Sequence, residues 1–229
     1  MSDPQDKHYP KGQSGKPVTL EARDGLEDGR RFSPSAGRNK AVIAETFSRF
    51  MPGSGTVLEI GSGTGEHGFE IARCMTSLHW VFSEYDPQSH ISIEAWIAHG
   101  DQDRLSGPLT LDASAPHWGD LVESRTYAGL FCANTIHISP FEVAEGLFAG
   151  AARLLEKEGK FFLYGPFARH GEMSEGNARF DADLKRRDPS WGVRDLHLEL
   201  EPLAARSGLA IETIEEMPAN NLSVIWGRV

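Results

Sequence analysis

The 229-residue chain is long enough to bury a full hydrophobic core without disulfide staples. Its 33 acids outnumber its 23 bases, a formal charge of −10, which argues against a phosphate-backbone partner needing clustered Lys and Arg. No apolar run reaches the roughly 18 residues of a membrane span, and Met1 to Arg30 lacks a secretory apolar region, so a cytoplasmic setting is expected.

Residues 1–30 are rich in Gly, Pro, Lys and Asp and poor in apolar side chains, so they read as a flexible tail. Residues 31–229 read as a single domain. A first helix fits Asn39 to Phe50, where Ile43, Phe47 and Phe50 share a face. Strands are predicted at Thr56–Ile60, Trp80–Glu84, Leu109–Leu111, Ala128–Ala133 and Lys160–Tyr164. Helices are predicted between them, from Glu66 to Met75, around Ile93, Trp96 and Ile97, and from Phe141 to Leu155.

Apolar strands alternating with helices imply parallel pairing in a doubly wound α/β sheet. Residues 165–195 interrupt that rhythm and are too long for a routine connection, so a lid or substrate segment is expected there. A last helix over Glu199 to Ser207 precedes strands at Ala210–Ile214 and Leu222–Trp226. The short turn between those two strands makes that pair antiparallel. Cys74 and Cys132 lie in apolar segments with no metal spacing, so both are expected as buried thiols. No His, Asp or Glu set has metal-ligand spacing either.

The most informative stretch is Glu59-Ile60-Gly61-Ser62-Gly63-Thr64-Gly65, between the first long strand and its helix. Glycines there let the backbone approach a ligand at the carboxyl end of a strand. The spacing is Gly-x-Gly-x-Gly, and Glu66 stands where a dinucleotide pyrophosphate would meet a helix N-terminus. Glu59 suits a cationic ligand group, acting through the turn's backbone or a water. Glu84 ends the second of these strands, where a carboxylate can accept both ribose hydroxyls, with Asp86 as its competitor. Asp112 follows the third and suits an adenine amino group, with Ala113 offering its N–H.

The turn, these acids and the five β-α steps resemble a class I S-adenosylmethionine-dependent methyltransferase. More narrowly, the strings Arg31-Phe32-Ser33-Pro34-Ser35-Ala36-Gly37-Arg38-Asn39-Lys40, Asn134-Thr135-Ile136-His137-Ile138-Ser139-Pro140, Tyr164-Gly165-Pro166-Phe167, Arg187-Asp188-Pro189-Ser190-Trp191-Gly192 and Met217-Pro218-Ala219-Asn220-Asn221 resemble an uncharacterised family that includes the methyltransferase-like 26 proteins. The resemblance implies a mostly parallel seven-stranded sheet with one antiparallel strand and S-adenosylmethionine as cofactor. It implies no particular substrate.

Methyl transfer is an in-line displacement, so the protein supplies alignment and a dry site. Asn134 suits the cofactor's methionine end or the acceptor. His137 either orients an acceptor, takes its proton, or serves only as a structural cap. Tyr164 offers a hydroxyl at a strand end, or plain packing. Arg31, Arg38 and Asn39 suit a carboxylate, or a network with nearby acids. Asn177, Phe180, Asp181, Trp191, Arg194 and Asp195 combine aromatic and polar groups as small-molecule pockets do. Asn220 and Asn221 read as turn residues, with a pocket role for Asn220 as the second reading.

A small-molecule acceptor is expected, with no nucleic acid and no membrane partner. The competing readings are a nicotinamide-dependent oxidoreductase and a non-catalytic interaction protein.

Overall fold

The computed structural model describes residues 24–229, and residues 1–23, most of the expected tail, lie outside the described part. The chain divides into two compact units, the first ending at Leu111 and the second spanning Asp112–Val229.

In the first unit regular structure begins earlier than expected. β1 (Asp24–Gly25) pairs antiparallel with β2 (Arg31–Phe32). α1 then runs over Pro34–Phe50, starting five residues before the expected Asn39. Proline fixes the helical φ and needs no amide partner in the first turn, so Pro34 starts the helix. Ile43, Ala44 and Phe47 are buried on one face, and Phe47 meets the Trp80 ring at 5.7 Å.

β3 (Gly55–Ile60), β4 (Leu78–Glu84) and β5 (Leu105–Thr110) are parallel, with β4 in the middle. β5 starts four residues before the expected Leu109, because Leu105 and Ser106 already pair with Trp80 and Val81. The connecting helices are α2 (Glu66–Cys74) and α3 (Pro87–His99). Asp86 caps α3, its side chain accepting from the Gln88 N–H at 3.1 Å and the Ser89 hydroxyl at 3.3 Å.

Cys74 corrects an expectation. It ends α2 and is exposed, whereas Cys132 is buried as expected. Both are free thiols.

In the second unit a short α4 (Asp120–Glu123) precedes β6 (Tyr127–Ala133). α5 (Phe141–Leu154) leads into β7 (Leu155–Ala168), which lies parallel to β6. β7 runs well past the expected Tyr164, because its far end pairs with β8 (Arg194–Asp195).

The segment expected as a lid holds α6 (Glu175–Arg187), capped by Ser174, whose hydroxyl accepts from the Asn177 N–H at 3.2 Å. Beyond β8 comes a π-helical turn, Leu196–Leu200, and then α7 (Glu201–Arg206). The expected single helix over this stretch is thus two pieces. Asp195 starts the first, accepting N–H bonds from His197, Leu198 and Gly171 at 2.9, 2.8 and 2.6 Å.

β9 (Leu209–Met217) and β10 (Asn221–Arg228) form the expected antiparallel pair. β10 is also antiparallel to β7, so it is the one reversed strand. The turn between β9 and β10 places Ala219 and Asn220 in left-handed geometry at φ 60° and 59°, while Asn221 is already extended. The left-handed pair is therefore one residue earlier than the sequence suggests. The core of this unit clusters on Phe148, which stands edge-to-face against Trp226 and Phe161 at 4.8 and 5.7 Å.

Candidate functional site: a glycine turn and a histidine loop

The first unit gathers its chemistry where β3 meets α2. Gly61, Gly63 and Gly65 all have left-handed φ, at 71°, 60° and 91°. Any side chain would strain all three, which is why glycine recurs at this spacing. The turn is pinned to the neighbouring strand from both sides. The Ser62 N–H donates to the Ser83 carbonyl at 3.0 Å, and the Ser83 N–H returns a bond to the Ser62 hydroxyl at 3.2 Å. The Ser83 hydroxyl reaches the Glu59 carbonyl at 2.6 Å.

Glu84 is brought to the same place. Its Oε2 accepts from the Gly63 N–H at 2.7 Å, and its Oε1 accepts from the Asp86 N–H at 3.1 Å. Each oxygen retains a further acceptor direction. Asp86 has a different job from the one it competed for: its side chain caps α3, which leaves Glu84 as the acid at the turn.

Glu59 departs from expectation. Its carboxyl is buried beneath the turn, accepting from the Trp80 indole N–H at 2.9 Å. A Cβ at Gly68 would collide with that carboxyl and with Trp80, so only glycine lets α2 close over it. Burial, with the Glu84 charge adding to it, pushes the Glu59 carboxyl up to about 8 against donors that favour ionisation. Glu59 is a neutral support under the turn at pH 7, and not a contact for a cationic ligand.

Glu66 is likewise turned inward. Its Oε2 accepts from the Ser33 N–H at 2.6 Å and the Thr64 hydroxyl at 3.1 Å, and its Oε1 pairs with Lys40 at 3.0 Å. Its charge is thus compensated locally, and the electrostatic argument against a pyrophosphate loses its weight. Ser92, which sequence reasoning passed over, links the turn to β2: its hydroxyl donates to the Thr64 carbonyl at 2.7 Å and accepts from the Arg31 N–H at 2.9 Å.

Among the described residues of this unit, Arg31 carries a telling deficit. Its Nη1 is buried with no hydrogen-bond partner. A cationic donor out of water calls for an anion. Arg38 sits exposed on α1.

In the second unit, Asn134 leaves β6 in left-handed geometry at φ 54°, its N–H bonded to the Tyr164 carbonyl at 2.9 Å. The following loop is clamped by Arg194. Its Nε donates to the Ile136 carbonyl at 3.1 Å, and its Nη2 donates to the Ser139 and Ser190 carbonyls at 2.7 and 2.9 Å. Its guanidinium also lies over the Phe141 ring at 5.5 Å. These bonds make Arg194 a buried structural clamp where a substrate contact was expected.

His137 sits in the middle of the clamped loop. Its carbonyl accepts from the Gly192 N–H at 3.0 Å, and its ring stands edge-on to Phe180 at 5.6 Å. The side chain is only 4% exposed, yet Nδ1 has no partner. Burial, reinforced by the Arg194 charge, drives the imidazole down to about 3, so it is neutral across the physiological range.

The remaining expectations divide. Asn177 and Asn220 do come together, the Asn177 amide donating to the Asn220 carbonyl at 3.0 Å. Asp181 accepts from the Val193 N–H at 2.9 Å. Trp191, expected at a substrate, is buried at 2% exposure and belongs to the core. Tyr164, expected to offer a catalytic hydroxyl, is 1% exposed and fully packed. Asp112 turns its Oδ1 to the Ser114 N–H and hydroxyl at 2.9 and 2.7 Å, in a local turn. Ala113 is buried, its carbonyl accepting from the Trp118 indole at 3.3 Å.

Known families and structures fit these features. A family described as "Protein of unknown function (DUF938)" matches residues 30–228. The chain belongs to this DUF938 family. Among solved structures, an O-methyltransferase family protein from Burkholderia thailandensis is similar at a TM-score of 0.70 and 15% identity, over 85% of this chain and 56% of that one. A putative O-methyltransferase from Nostoc punctiforme is similar at 0.69 and 16%, over 84% and 56%. CalO1, a methyltransferase in calicheamicin biosynthesis in an SAH-bound form, is similar at 0.67 and 14%, over 85% and 54%.

The chain therefore has the α/β fold of class I S-adenosylmethionine-dependent methyltransferases: a mostly parallel sheet with one antiparallel strand and flanking helices. It spans little more than half the length of these solved structures. Among the described residues no helix is long and apolar enough to cross a membrane, and no group of three or more His, Cys, Asp or Glu is placed to hold a metal ion.

Proposed function

We propose that this DUF938 protein is an S-adenosylmethionine-dependent methyltransferase acting on a small molecule in the cytoplasm. The observation that carries the reading is the Glu84 carboxylate on the Gly63 N–H, in a turn of three left-handed glycines. Bound there, the cofactor supplies an electrophilic methyl group. The residues present fit it. The bare turn allows close backbone approach, Glu84 has acceptor capacity for two ribose hydroxyls, and the unpartnered Arg31 Nη1 suits an amino-acid carboxylate.

Arg31 is proposed for the cofactor's carboxylate ahead of the exposed Arg38. Glu59 acts only by supporting the turn. Asp112, Ala113 and Asn134 keep their expected cofactor roles as proposals, each open to substitution. The acidic balance of the chain favours a small acceptor over nucleic acid. The solved neighbours named for methyl transfer support this reading, and nothing supports a nicotinamide cofactor.

Thermal unfolding tests it. S-adenosylhomocysteine at about 100 times its Kd adds roughly 2.7 kcal/mol of stability to a protein that binds it. The expected result is a clear upward shift with that ligand, none with NADH, and a Kd raised about tenfold or more in Glu84→Ala. A folded wild-type protein indifferent to S-adenosylhomocysteine defeats the proposal.

A further inference from the structure

Thr64, between two left-handed glycines, is gripped twice, and both grips lead to the same N-terminal hairpin. Its carbonyl accepts from the Ser92 hydroxyl at 2.7 Å, and that hydroxyl oxygen accepts from the Arg31 N–H at 2.9 Å. Its own hydroxyl donates to Glu66 Oε2 at 3.1 Å, and the same carboxylate oxygen accepts from the Ser33 N–H at 2.6 Å. Alternate amides of the chain leaving the hairpin are thus each one buried side chain away from the middle of the turn.

α3 completes the fastening. Trp96, one helical turn beyond Ser92, donates its indole N–H to the Arg31 carbonyl at 3.4 Å and stands edge-to-face with Phe32 at 5.3 Å. A Cβ at Gly65 would lie 3.2 Å from the same indole ring, so the turn and the hairpin rest on one side chain. All of these residues belong to the first unit.

We infer that the β1–β2 hairpin is a latch on the cofactor turn: closing the latch and filling the turn are linked equilibria, joined at Thr64. The inference rests on the methyl-transfer reading and adds a regulation of that same site. Glycine has the widest backbone freedom of any residue, and Gly63 and Gly65 stand on either side of Thr64. Without the two bridges the turn spreads over conformations that do not present the Gly63 N–H beside Glu84. With them the turn is ordered before the ligand arrives, which raises affinity. Linkage makes the effect reciprocal: whatever factor the closed latch adds to ligand affinity, the bound ligand adds to closure. Both bridges end on backbone N–H groups, so the latch does not depend on what the Arg31 guanidinium holds.

Amide exchange on the full chain, read residue by residue by NMR with and without saturating S-adenosylhomocysteine, tests the linkage. Leu26 and Gly29 are internal references, because their N–H groups bond to carbonyls within the hairpin itself. The expected result is exchange slowed about tenfold at Arg31 and Ser33, and far less at Leu26 and Gly29. Ser92→Ala removes one bridge and raises the S-adenosylhomocysteine Kd about fivefold or more. Ser89→Ala takes an equally buried hydroxyl from the same helix, one bonded to Asp86 instead, and leaves the Kd within about twofold. Phe32→Ala loosens the hairpin from Trp96 without touching either bridge and weakens binding in the same sense as Ser92→Ala, and it decides the matter alone if Ser92→Ala does not fold.

Wild type that binds S-adenosylhomocysteine without selective slowing at Arg31 and Ser33, a Kd unmoved in Phe32→Ala, or Ser89→Ala as damaging to binding as Ser92→Ala overturns the inference. In each of these the wild-type thermal shift persists and the methyl-transfer reading stands. Absence of that shift in folded wild type defeats the reading, and the latch falls with it.

Discussion

The glycine turn of the first unit and the histidine loop of the second are both held by hydrogen bonds, but in opposite ways. Around the turn nearly every polar group is matched from within. Glu84 holds Gly63, Glu66 holds Ser33, Thr64 and Lys40, and Ser92 holds Thr64, while among the described residues here the buried Arg31 Nη1 is without a partner. Around His137 one buried cation clamps the backbone, and the side chain that the clamp positions is left unmatched. A buried polar atom without a partner costs free energy, so a fold tolerates it where something else supplies the partner. An acid or base whose polar atoms are already matched, as Glu66 and Arg194 are, has less left to offer a ligand than one whose donor is still open, as Arg31 Nη1 is.

The sharpest way to break this contrast is Arg194→Met. It strips the Ile136, Ser139 and Ser190 carbonyls of a buried donor, and about 3 kcal/mol or more should be lost in urea unfolding. His137→Phe, by comparison, should cost little stability, because Nδ1 bonds nothing. If the two variants are equally damaging, the division between clamp and clamped is wrong.

Next comes the support beneath the turn. Gly68→Ala drives a methyl group into Glu59 and Trp80, and overpacking of this kind costs about 2 kcal/mol. The loss should appear in unfolding, together with a weaker S-adenosylhomocysteine shift as the turn above is displaced.

The pH dependence of stability separates the two regions more gently. The Glu59 carboxyl is raised from 4.5 to about 8, so the folded state holds a proton the unfolded chain has released, and stability falls as pH rises through that window. Burial lowers His67 from 6.5 to about 4, with Lys40 adding to it, and His137 from 6.5 to about 3. The unfolded chain protonates first at both, so their contribution is complete above 6.5 and is lost as pH falls below it.

Below 6.5 the two histidines outweigh the one glutamate, and above it Glu59 acts alone, at about 1.4 kcal/mol per pH unit per proton. Stability measured across pH 5 to 8 should therefore peak near 6.5. Glu59→Gln should flatten the upper limb and His137→Phe should shallow the lower one. The smallest effect is expected from Asp86→Ala, which removes the α3 cap and about 1 kcal/mol, and should leave S-adenosylhomocysteine affinity nearly unchanged if Glu84 alone is the acid at the turn.

Much of this fold is legible in the residues. Apolar runs of three to six placed the strands, and the helical spacing of Ile43 and Phe47 placed the core face of α1. Element ends were less so: α1, β5 and β7 all outrun their patterns because Pro34, Leu105 and the partner strand β8 extend them. The glycine spacing and the acid at the end of β4 pointed to the turn, since a left-handed backbone and a strand-end carboxylate are both written locally. The direction a carboxylate faces is not, and Glu59, Glu66 and Asp86 all turned out to serve the protein's own scaffold.

What the string of residues settled was whatever depends on near neighbours: the alternation of strand and helix, the glycines where φ must be positive, and the reversed strand near the end. What required the folded chain was the matching of donors and acceptors far apart in sequence. Arg194 reaches carbonyls 55 and 58 residues away and gains three partners, while Nδ1 of His137 in the same loop gains none. Hydrogen bonding is decided by which groups meet in space, so a residue's identity announces its capacity and only its surroundings reveal whether that capacity is still open.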